Sequence, residues 1–157
     1  MRRLAPGETA GEFEAVDQNG QPLRLSDFRG KKLLVYFYPK AGTEGCTAQA
    51  CQVRDARVDF SGLGVEVLGI SPDCPADQKK FDAEHNLGFA LACDMEHSIA
   101  EEYGAWGERE MFGESFEGVI RSSFLLDEDG RVIEAWYDVK PAETVPLAKR
   151  ALAKLKE

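Results

Sequence analysis

Two continuous apolar runs dominate the hydrophobic pattern of the chain. Residues 32–38 read KLLVYFY and residues 65–70 read VEVLGI, and both are rich in β-branched or aromatic side chains. Runs of this kind are typical of strands that are covered on both faces, as in a sheet between two layers of helices. The pattern therefore predicts two central strands here and a shorter strand at residues 89–93.

Two other regions have the pattern of antiparallel hairpins. Residues 12–25 alternate loosely between apolar and polar side chains around an Asn-Gly turn signal. Residues 119–126 and 131–137 flank the sequence Asp-Glu-Asp-Gly, which is typical of a turn. Because such turns reverse the chain tightly between strands, we predict one β-hairpin in each region.

Helical spacing of apolar residues and helix-start signals mark the segments between the strands. After the first central strand, the apolar side chains of Ala48, Cys51, Ala56 and Phe60 recur at roughly helical intervals. Helices are predicted at residues 46–60, 73–86, 98–103 and 143–155, with a short helical turn at residues 26–28.

Strands that alternate with helices, followed by a late hairpin and a last helix, indicate an α/β protein with a mixed sheet. The order is consistent with a thioredoxin-like fold that has an N-terminal β-hairpin extension and a central mixed sheet flanked by helices. Residues 1–157 are expected to form one domain, since a chain of this length buries roughly 70% of its unfolded surface.

The charge balance narrows the range of partners. Acidic residues outnumber basic ones by 28 to 19, for a formal net charge of −9, so neither nucleic acid nor a membrane surface is expected to bind. The N-terminal sequence MRRLAPGETAGEFEA lacks the apolar stretch of a signal peptide, and no segment approaches the ~20 apolar residues that span a bilayer. We therefore expect a cytoplasmic protein whose four cysteines are catalytic or metal-binding rather than structural disulfides.

Cys46 stands where a reactive cysteine is expected. It follows a predicted buried strand, Pro39 and a glycine-containing loop, and it opens the predicted helix over residues 46–60. The N-terminus of a helix exposes unpaired N–H groups and about half a positive charge, which stabilise a thiolate. A small buried core residue is the alternative, since most free cysteines are of that kind. Placement alone leaves both interpretations open.

The residues around Cys46 carry a family resemblance. Residues 39–46 read PKAGTEGC, which resembles the PxxxTxxC active-site signature of the peroxiredoxins. The wider segment YFYPKAGTEGCTAQACQVRD is similar to the peroxiredoxin Q branch, also called bacterioferritin comigratory protein. Further matches lie at residues 69–73 (GISPD), 103–108 (YGAWGE) and 120–127 (IRSSFLLD), so the resemblance covers nearly the whole chain.

The resemblance implies roles for five residues. Cys46 would be the peroxidatic cysteine, and Cys51, five residues later, would be the resolving thiol. Thr43 would hydrogen-bond the peroxide, Pro39 would shield the thiolate from water, and Arg121 would hold the thiolate and the peroxide oxygens. A guanidinium suits that role because it stabilises a thiolate and presents several donors to the polarising O–O bond. Each of the last three residues also has a non-catalytic interpretation: Thr43 could cap a turn, Pro39 could end a strand, and Arg121 could lie at the surface.

The implied activity is that of a thioredoxin-dependent, two-cysteine peroxidase. Hydrogen peroxide and organic hydroperoxides would be its substrates, and thioredoxin or a similar dithiol would reduce the Cys46–Cys51 disulfide. The resemblance further implies a monomer, and neither a cofactor nor a metal is expected.

Disulfide formation between Cys46 and Cys51 requires a change of conformation. Five residues advance about 7.5 Å along an ideal helix, which places the two Cα atoms about 8.7 Å apart. A disulfide tolerates Cα separations up to about 6.8 Å, so the first turns of the helix would have to unwind. Gly42 and Gly45 would allow the preceding loop to move.

Two positions near Cys46 depart from the usual pattern of the branch. Glu44 stands where the branch commonly has proline, and Gln49 stands where it commonly has glutamate. One negative charge is gained and one is lost near the thiol, so the electrostatics and the rigidity of the loop are affected rather than the class of reaction.

Other residues with reactive side chains lie outside these motifs. Cys74 and Cys93 each follow the end of a predicted parallel strand; they could be neighbours, but we expect solitary reduced thiols. His85 and His97 are expected at the surface, and Trp106 is expected to pack a loop.

Three other functions compete with that of a peroxidase. A thioredoxin-like disulfide reductase normally uses the spacing C-x-x-C, whereas this chain has C-x-x-x-x-C. A zinc module needs pairs of ligands two to four residues apart, and the cysteines and histidines here do not form such pairs. A non-enzymatic, chaperone-type role is not excluded by the sequence.

Overall fold

A seven-stranded mixed sheet forms the centre of the molecule, with the strand order β2-β1-β5-β4-β3-β8-β9. The computed structural model describes residues 3–156, except for the side chain of Met111. The strands are β1 (Glu14–Asp17), β2 (Pro22–Arg24), β3 (Lys32–Phe37), β4 (Val65–Ser71), β5 (Ala90–Cys93), β6 (Trp106–Met111), β7 (Glu114–Val119), β8 (Ser122–Leu126) and β9 (Val132–Trp136). The helices are α1 (Glu44–Gly62), α2 (Pro75–His85), α3 (Ser98–Glu102) and α4 (Thr144–Leu155), with a 3₁₀ turn at Leu25–Phe28.

The three central strands are parallel, and the strands at both sides are antiparallel. β4 pairs in parallel with β3 and β5, whereas β8 pairs with β3 in the opposite direction. The predicted N-terminal hairpin is confirmed as β1 and β2, and it extends the sheet beyond β5. The predicted α/β architecture with a flanked mixed sheet is therefore confirmed.

Both faces of the sheet are covered, which explains the continuous apolar runs. Along β3, Leu33, Val35 and Phe37 face a core completed by the N-terminal segment and α3. Leu34 and Tyr36 face the opposite core, which contains side chains of α1, α2 and α4. Neither face of such a strand contacts water, so its sequence is a continuous run of apolar residues. No helix in residues 3–156 is long and apolar enough to cross a membrane.

One hairpin was not predicted. β6 and β7 form a separate two-stranded sheet, and the predicted strand over residues 119–126 is interrupted at Ile120 and Arg121 before β8 begins. The turn between β6 and β7 consists of Phe112 and Gly113, both with positive φ (54° and 80°). Such turns normally contain Asn, Asp or Gly at both positions. With phenylalanine at the first position, the sequence did not indicate a turn here.

The buried stripe of α1 also differs from the predicted one. The helix begins at Glu44, two residues before the predicted start, and Ala48 is exposed while Cys51 is only half-buried. Gln49 is fully buried instead. A polar residue can occupy a core position when its amide is hydrogen-bonded, and hydrophobic spacing alone does not reveal this.

Candidate active site

Cys46 lies in the first turn of α1 and is almost completely buried, with 1% of its surface exposed. The chain reaches it from the end of β3, where the Tyr38 N–H donates to the Ile70 carbonyl, through a short loop that ends at the N-cap residue Thr43. A thiolate here would benefit from the unpaired N–H groups and partial positive charge of the helix terminus. The predicted placement of Cys46 at a helix N-terminus is confirmed.

Arg121 is the cation next to this thiol. Its Nη2 atom lies 3.3 Å from the Cys46 Sγ atom, although 75 residues separate the two in sequence. Antiparallel pairing of Phe37 with Ser122 brings the start of β8 beside the end of β3, and Arg121 immediately precedes β8. The backbone of Arg121 is also held by the Val139 N–H, which donates to its carbonyl at 2.9 Å.

A buried network holds the other side of the guanidinium. Arg121 Nη1 donates to the Gln49 side-chain oxygen, and the Gln49 amide donates to the Thr144 hydroxyl at 2.9 Å. The hydroxyls of Thr144 and Ser123 share a hydrogen bond of the same length. Because Gln49 is neutral, it orients the guanidinium without cancelling its charge. No motif in the sequence marked Ser123 or Thr144 for this role.

A glycine allows this close approach. A Cβ atom at Gly45 would lie 3.3 Å from Cγ of Pro141 and 3.5 Å from Nη2 of Arg121. The loop that contains Pro141 therefore packs directly against the first turn of α1, and the arginine reaches the thiol past a position without a side chain.

Thr43 and Pro39 lie at the two ends of the loop before α1, and both are exposed. The Thr43 hydroxyl donates to the Lys40 carbonyl at 2.9 Å, and it does not cap the helix. Its oxygen keeps lone pairs that can accept a hydrogen bond from a bound hydroperoxide. Pro39 directly follows Tyr38 at the end of β3.

Two buried tyrosines form the floor of the site. The rings of Tyr36 and Tyr38 lie 5.4 Å apart between their centroids. Burial raises the pKa of Tyr36 well above its ordinary value, and neighbouring Tyr38 and Cys46 raise it further. Burial also raises the pKa of Tyr38. Both phenols therefore stay neutral, so neither places a negative charge beside Cys46.

Cys51 is on the same helix and is half-buried, and its thiol is free. Arg54 follows one helical turn later; its hydrogen bond to Asp55 raises the pKa of Arg54, and proximity to Cys51 acts in the same direction. Because α1 is continuous from Glu44, both cysteines are held on one regular helix. At the separation of an ideal helix they cannot form a disulfide without unwinding.

Cys74 and Cys93 lie near each other outside the site. Cys93 ends β5, pairing with Ser71 of β4, and Cys74 is the N-cap residue of α2. Burial raises the pKa of Cys93 to about 12, with a smaller contribution from Cys74. Cys93 is thus held as a neutral thiol, which is a poor nucleophile.

The two histidines and Trp106 lie in aromatic contacts outside the site. Trp106 begins β6 and stacks on the ring of His97, which lies in the loop before α3, with centroids 3.9 Å apart; the predicted packing of Trp106 on a loop is therefore confirmed. His85 and His97 are both partly exposed, as expected of surface residues, and the His85 ring contacts that of Phe81. Trp106 stacks on His97, whereas Phe81 meets His85 edge to face, and isolated positions in a sequence do not reveal such contacts. Within residues 3–156, no group of three or more His, Cys, Asp or Glu side chains could hold a metal ion.

Comparisons with known proteins agree with this geometry. Residues 6–135 match the AhpC/TSA family. Peroxiredoxin Bcp of Escherichia coli (strain K12) is 43% identical over 140 residues, which cover 89% of this chain and 90% of that protein. Peroxiredoxin Bcp of Bacillus subtilis (strain 168) is 39% identical over 151 residues, 96% of each chain.

A solved structure has the same fold over nearly its full length. The bacterioferritin comigratory protein of Xanthomonas campestris, whose structures address its alkyl peroxide reduction activity, superposes with a TM-score of 0.87 and 28% identity. The match covers 99% of this chain and 98% of that one. The chain therefore belongs to the AhpC/TSA family, in which it is a peroxiredoxin of the peroxiredoxin Q, or bacterioferritin comigratory protein, branch.

Proposed function

We propose that this thiol peroxidase attacks hydroperoxides with the Cys46 thiolate and recovers through Cys51. The thiolate sulfur attacks one peroxide oxygen, an S–O bond forms as the O–O bond breaks, and the leaving oxygen takes a proton to become an alcohol or water. Attack by the Cys51 thiol on the Cys46 sulfenic acid then forms an S–S bond and releases water. Thioredoxin or a similar dithiol reduces the disulfide by two thiol–disulfide exchanges.

The contact between Arg121 and Cys46 carries this proposal. A guanidinium 3.3 Å from a buried sulfur favours the thiolate, the nucleophilic form of cysteine. The same group has spare N–H donors for the oxygen on which negative charge develops as the O–O bond breaks. The Gln49 network orients these donors before the peroxide arrives, so little reorganisation is needed in the transition state.

Thr43 and Pro39 complete the proposed peroxide site. The Thr43 oxygen accepts the O–H of the peroxide, because its own proton is donated to Lys40. Pro39 shields the Cys46 thiolate from water. An alkyl hydroperoxide is included as a substrate because the X. campestris relative has alkyl peroxide reduction activity.

Peroxide consumption with a thiol reductant tests the function directly. With thioredoxin, its reductase and NADPH, we expect continuous turnover of hydrogen peroxide and of an organic hydroperoxide such as cumene hydroperoxide. Without the thioredoxin system, consumption should stop after about one equivalent per chain, because the two thiols supply only two electrons. Reduction of a protein disulfide with no peroxide consumption would instead favour the disulfide-reductase alternative.

Oxidation is expected to unwind the beginning of α1. The oxidised protein should contain a Cys46–Cys51 disulfide, and amide hydrogen exchange across residues 43–54 should be faster than in the reduced protein. The helix cannot accommodate the bridge, and its first turn is the least costly to open because its N–H groups have no partners within the helix. Peptide mapping combined with exchange mass spectrometry measures both features. A mapped disulfide with full helical protection of this segment would contradict unwinding.

Cys74 and Cys93 are expected to be dispensable for turnover. The Cys74→Ser, Cys93→Ser double variant should keep its steady-state rate within about a factor of 3, or ~0.65 kcal/mol of barrier. Cys93 is held neutral by burial, and neither thiol is hydrogen-bonded to Arg121 or Gln49. The measurement is the thioredoxin-coupled rate beside a single-turnover assay. If the double variant completes its first peroxide turnover but is no longer reduced by thioredoxin, Cys74 and Cys93 relay oxidising equivalents.

We further propose a cytoplasmic monomer. The four cysteines are free, which is the state that a reducing compartment maintains. Light scattering of the reduced and oxidised protein tests the oligomeric state, since a dimer would show twice the chain mass.

A further inference from the structure

A chain of hydrogen bonds joins the active-site loop to the β4–α2 connection. The Ala41 N–H donates to Oδ2 of Asp73 at 2.7 Å, and the Ser71 hydroxyl donates to the same oxygen at 2.6 Å. The Gln78 amide donates to the Ser71 oxygen at 2.8 Å, and its carbonyl oxygen accepts from the Tyr38 hydroxyl. These five residues, which we call the loop network, contact both ends of the segment from Tyr38 to Ala41.

The loop network is anchored in the rigid part of the fold. Ser71 and Gln78 are buried, and the Gln78 amide also donates to the Ala92 carbonyl of β5 at 3.2 Å. Asp73 is half-buried, and its own N–H donates to the Ser71 hydroxyl oxygen at 3.2 Å. The Asp73 carboxylate is therefore held in place by β4, β5 and α2 rather than by the loop that it contacts.

The loop itself has few other attachments. Residues 39–42 follow β3 and precede α1, and within the described part of the chain the only hydrogen-bond partner of Lys40 is Thr43 at the end of the same loop. Among the hydrogen bonds of residues 3–156, the bond from Ala41 to Asp73 is the only one that ties residues 39–42 to a distant part of the chain. A hydrogen bond to a charged acceptor is about twice as strong as a neutral one, so this contact dominates the position of the loop.

We propose that Asp73 is a positioning residue for peroxide reduction: its carboxylate clamps the Ala41 N–H and so holds Pro39 and Thr43 over Cys46. The inference rests on the proposed function, because it assigns Asp73 to the peroxide step at Cys46. The same clamp opposes unwinding of α1, since the loop must leave Asp73 when the first turn opens. Asp73 thus links the geometry of the reduced site to the ease with which the helix opens.

The test compares the peroxide reaction rates of Asp73 variants with that of a variant at a nearby control carboxylate, Asp77. Asp73→Ala should slow the second-order reaction of the reduced protein with hydrogen peroxide by about tenfold or more, the scale of one lost charge-assisted hydrogen bond. Asp73→Asn should recover most of the rate, because an amide oxygen can still accept from Ala41. Asp77→Ala is the control: Asp77 is exposed on the first turn of α2 and makes no hydrogen bond or ion pair within the described chain.

Hydrogen exchange of the reduced protein separates positioning from general stability. Asp73→Ala should exchange faster at residues 40–47 than the wild type, with unchanged protection in β4 and α4. Should the alanine variant fail to fold, Asp73→Ser, whose hydroxyl is too short to reach Ala41, takes its place. The inference is overturned if the peroxide rate stays within about twofold of wild type, if Asp77→Ala slows it equally, or if protection of residues 40–47 is unchanged. A wild-type protein that consumes no peroxide would reject the proposed function itself.

Discussion

Replacing Cys46 by serine is expected to abolish peroxide reduction, leaving on the order of 1% of wild-type turnover or less, because a serine hydroxyl is not ionised at neutral pH and is a far weaker nucleophile than a thiolate. The Arg121 guanidinium and the N-terminus of α1 stabilise a thiolate but cannot deprotonate an alcohol to a useful extent. The thioredoxin-coupled rate with hydrogen peroxide is the measurement.

Cys51→Ser is the matched control for this result. It removes the second thiol of the same helix but leaves Cys46 and Arg121 in place. We expect it to reduce about one equivalent of peroxide and then to accumulate Cys46 sulfenic or sulfinic acid, visible by mass spectrometry. Turnover of Cys46→Ser above a few per cent of wild type would remove Cys46 from the peroxidatic role, whatever Cys51→Ser does.

Replacing Arg121 by alanine is expected to slow the reaction of Cys46 with peroxide by roughly 10²-fold or more, as when one preorganised charge-stabilising donor is lost. The substitution removes the donor that lies 3.3 Å from the sulfur and leaves the Gln49 side-chain oxygen without the donor that it accepts from. Stopped-flow measurement gives the second-order rate constant, and ultraviolet absorbance of the thiolate shows whether less of Cys46 is ionised at neutral pH.

Two further variants test whether the charge of Arg121 matters. Gln49→Glu places a carboxylate against the guanidinium and should slow the peroxide step by partial neutralisation, with a smaller effect than Arg121→Ala. Arg109→Ala is a matched control: it removes an arginine whose ion pair to Asp138 is at the surface, and it should leave the rate unchanged. An Arg121→Ala rate constant equal to that of wild type would reject the catalytic role of the arginine.

The central strands and the helices around them could be predicted because their signals are local. The run from Lys32 to Tyr38 had to be a strand covered on both faces, and the turn before β9 contains the expected residues. The hairpin of β6 and β7 was missed because its turn begins with Phe112 in a left-handed conformation that phenylalanine rarely adopts. The burial of Gln49 was not predicted, since a sequence does not reveal whether a buried amide will find partners.

The sequence by itself determined the chemistry available to this protein: a cysteine at a helix N-terminus behind PxxxT, a second cysteine five residues later, and an arginine in IRSSFLLD. Local spacing is enough for these features because they depend on consecutive residues. Only the tertiary structure decided how they meet. Pairing of β3 with β8 brings Arg121 to Cys46, a buried amide orients its guanidinium, and Asp73 reaches the active-site loop from the β4–α2 connection. Such contacts join residues that are distant along the chain, and strand order and side-chain packing, rather than local patterns, bring them together.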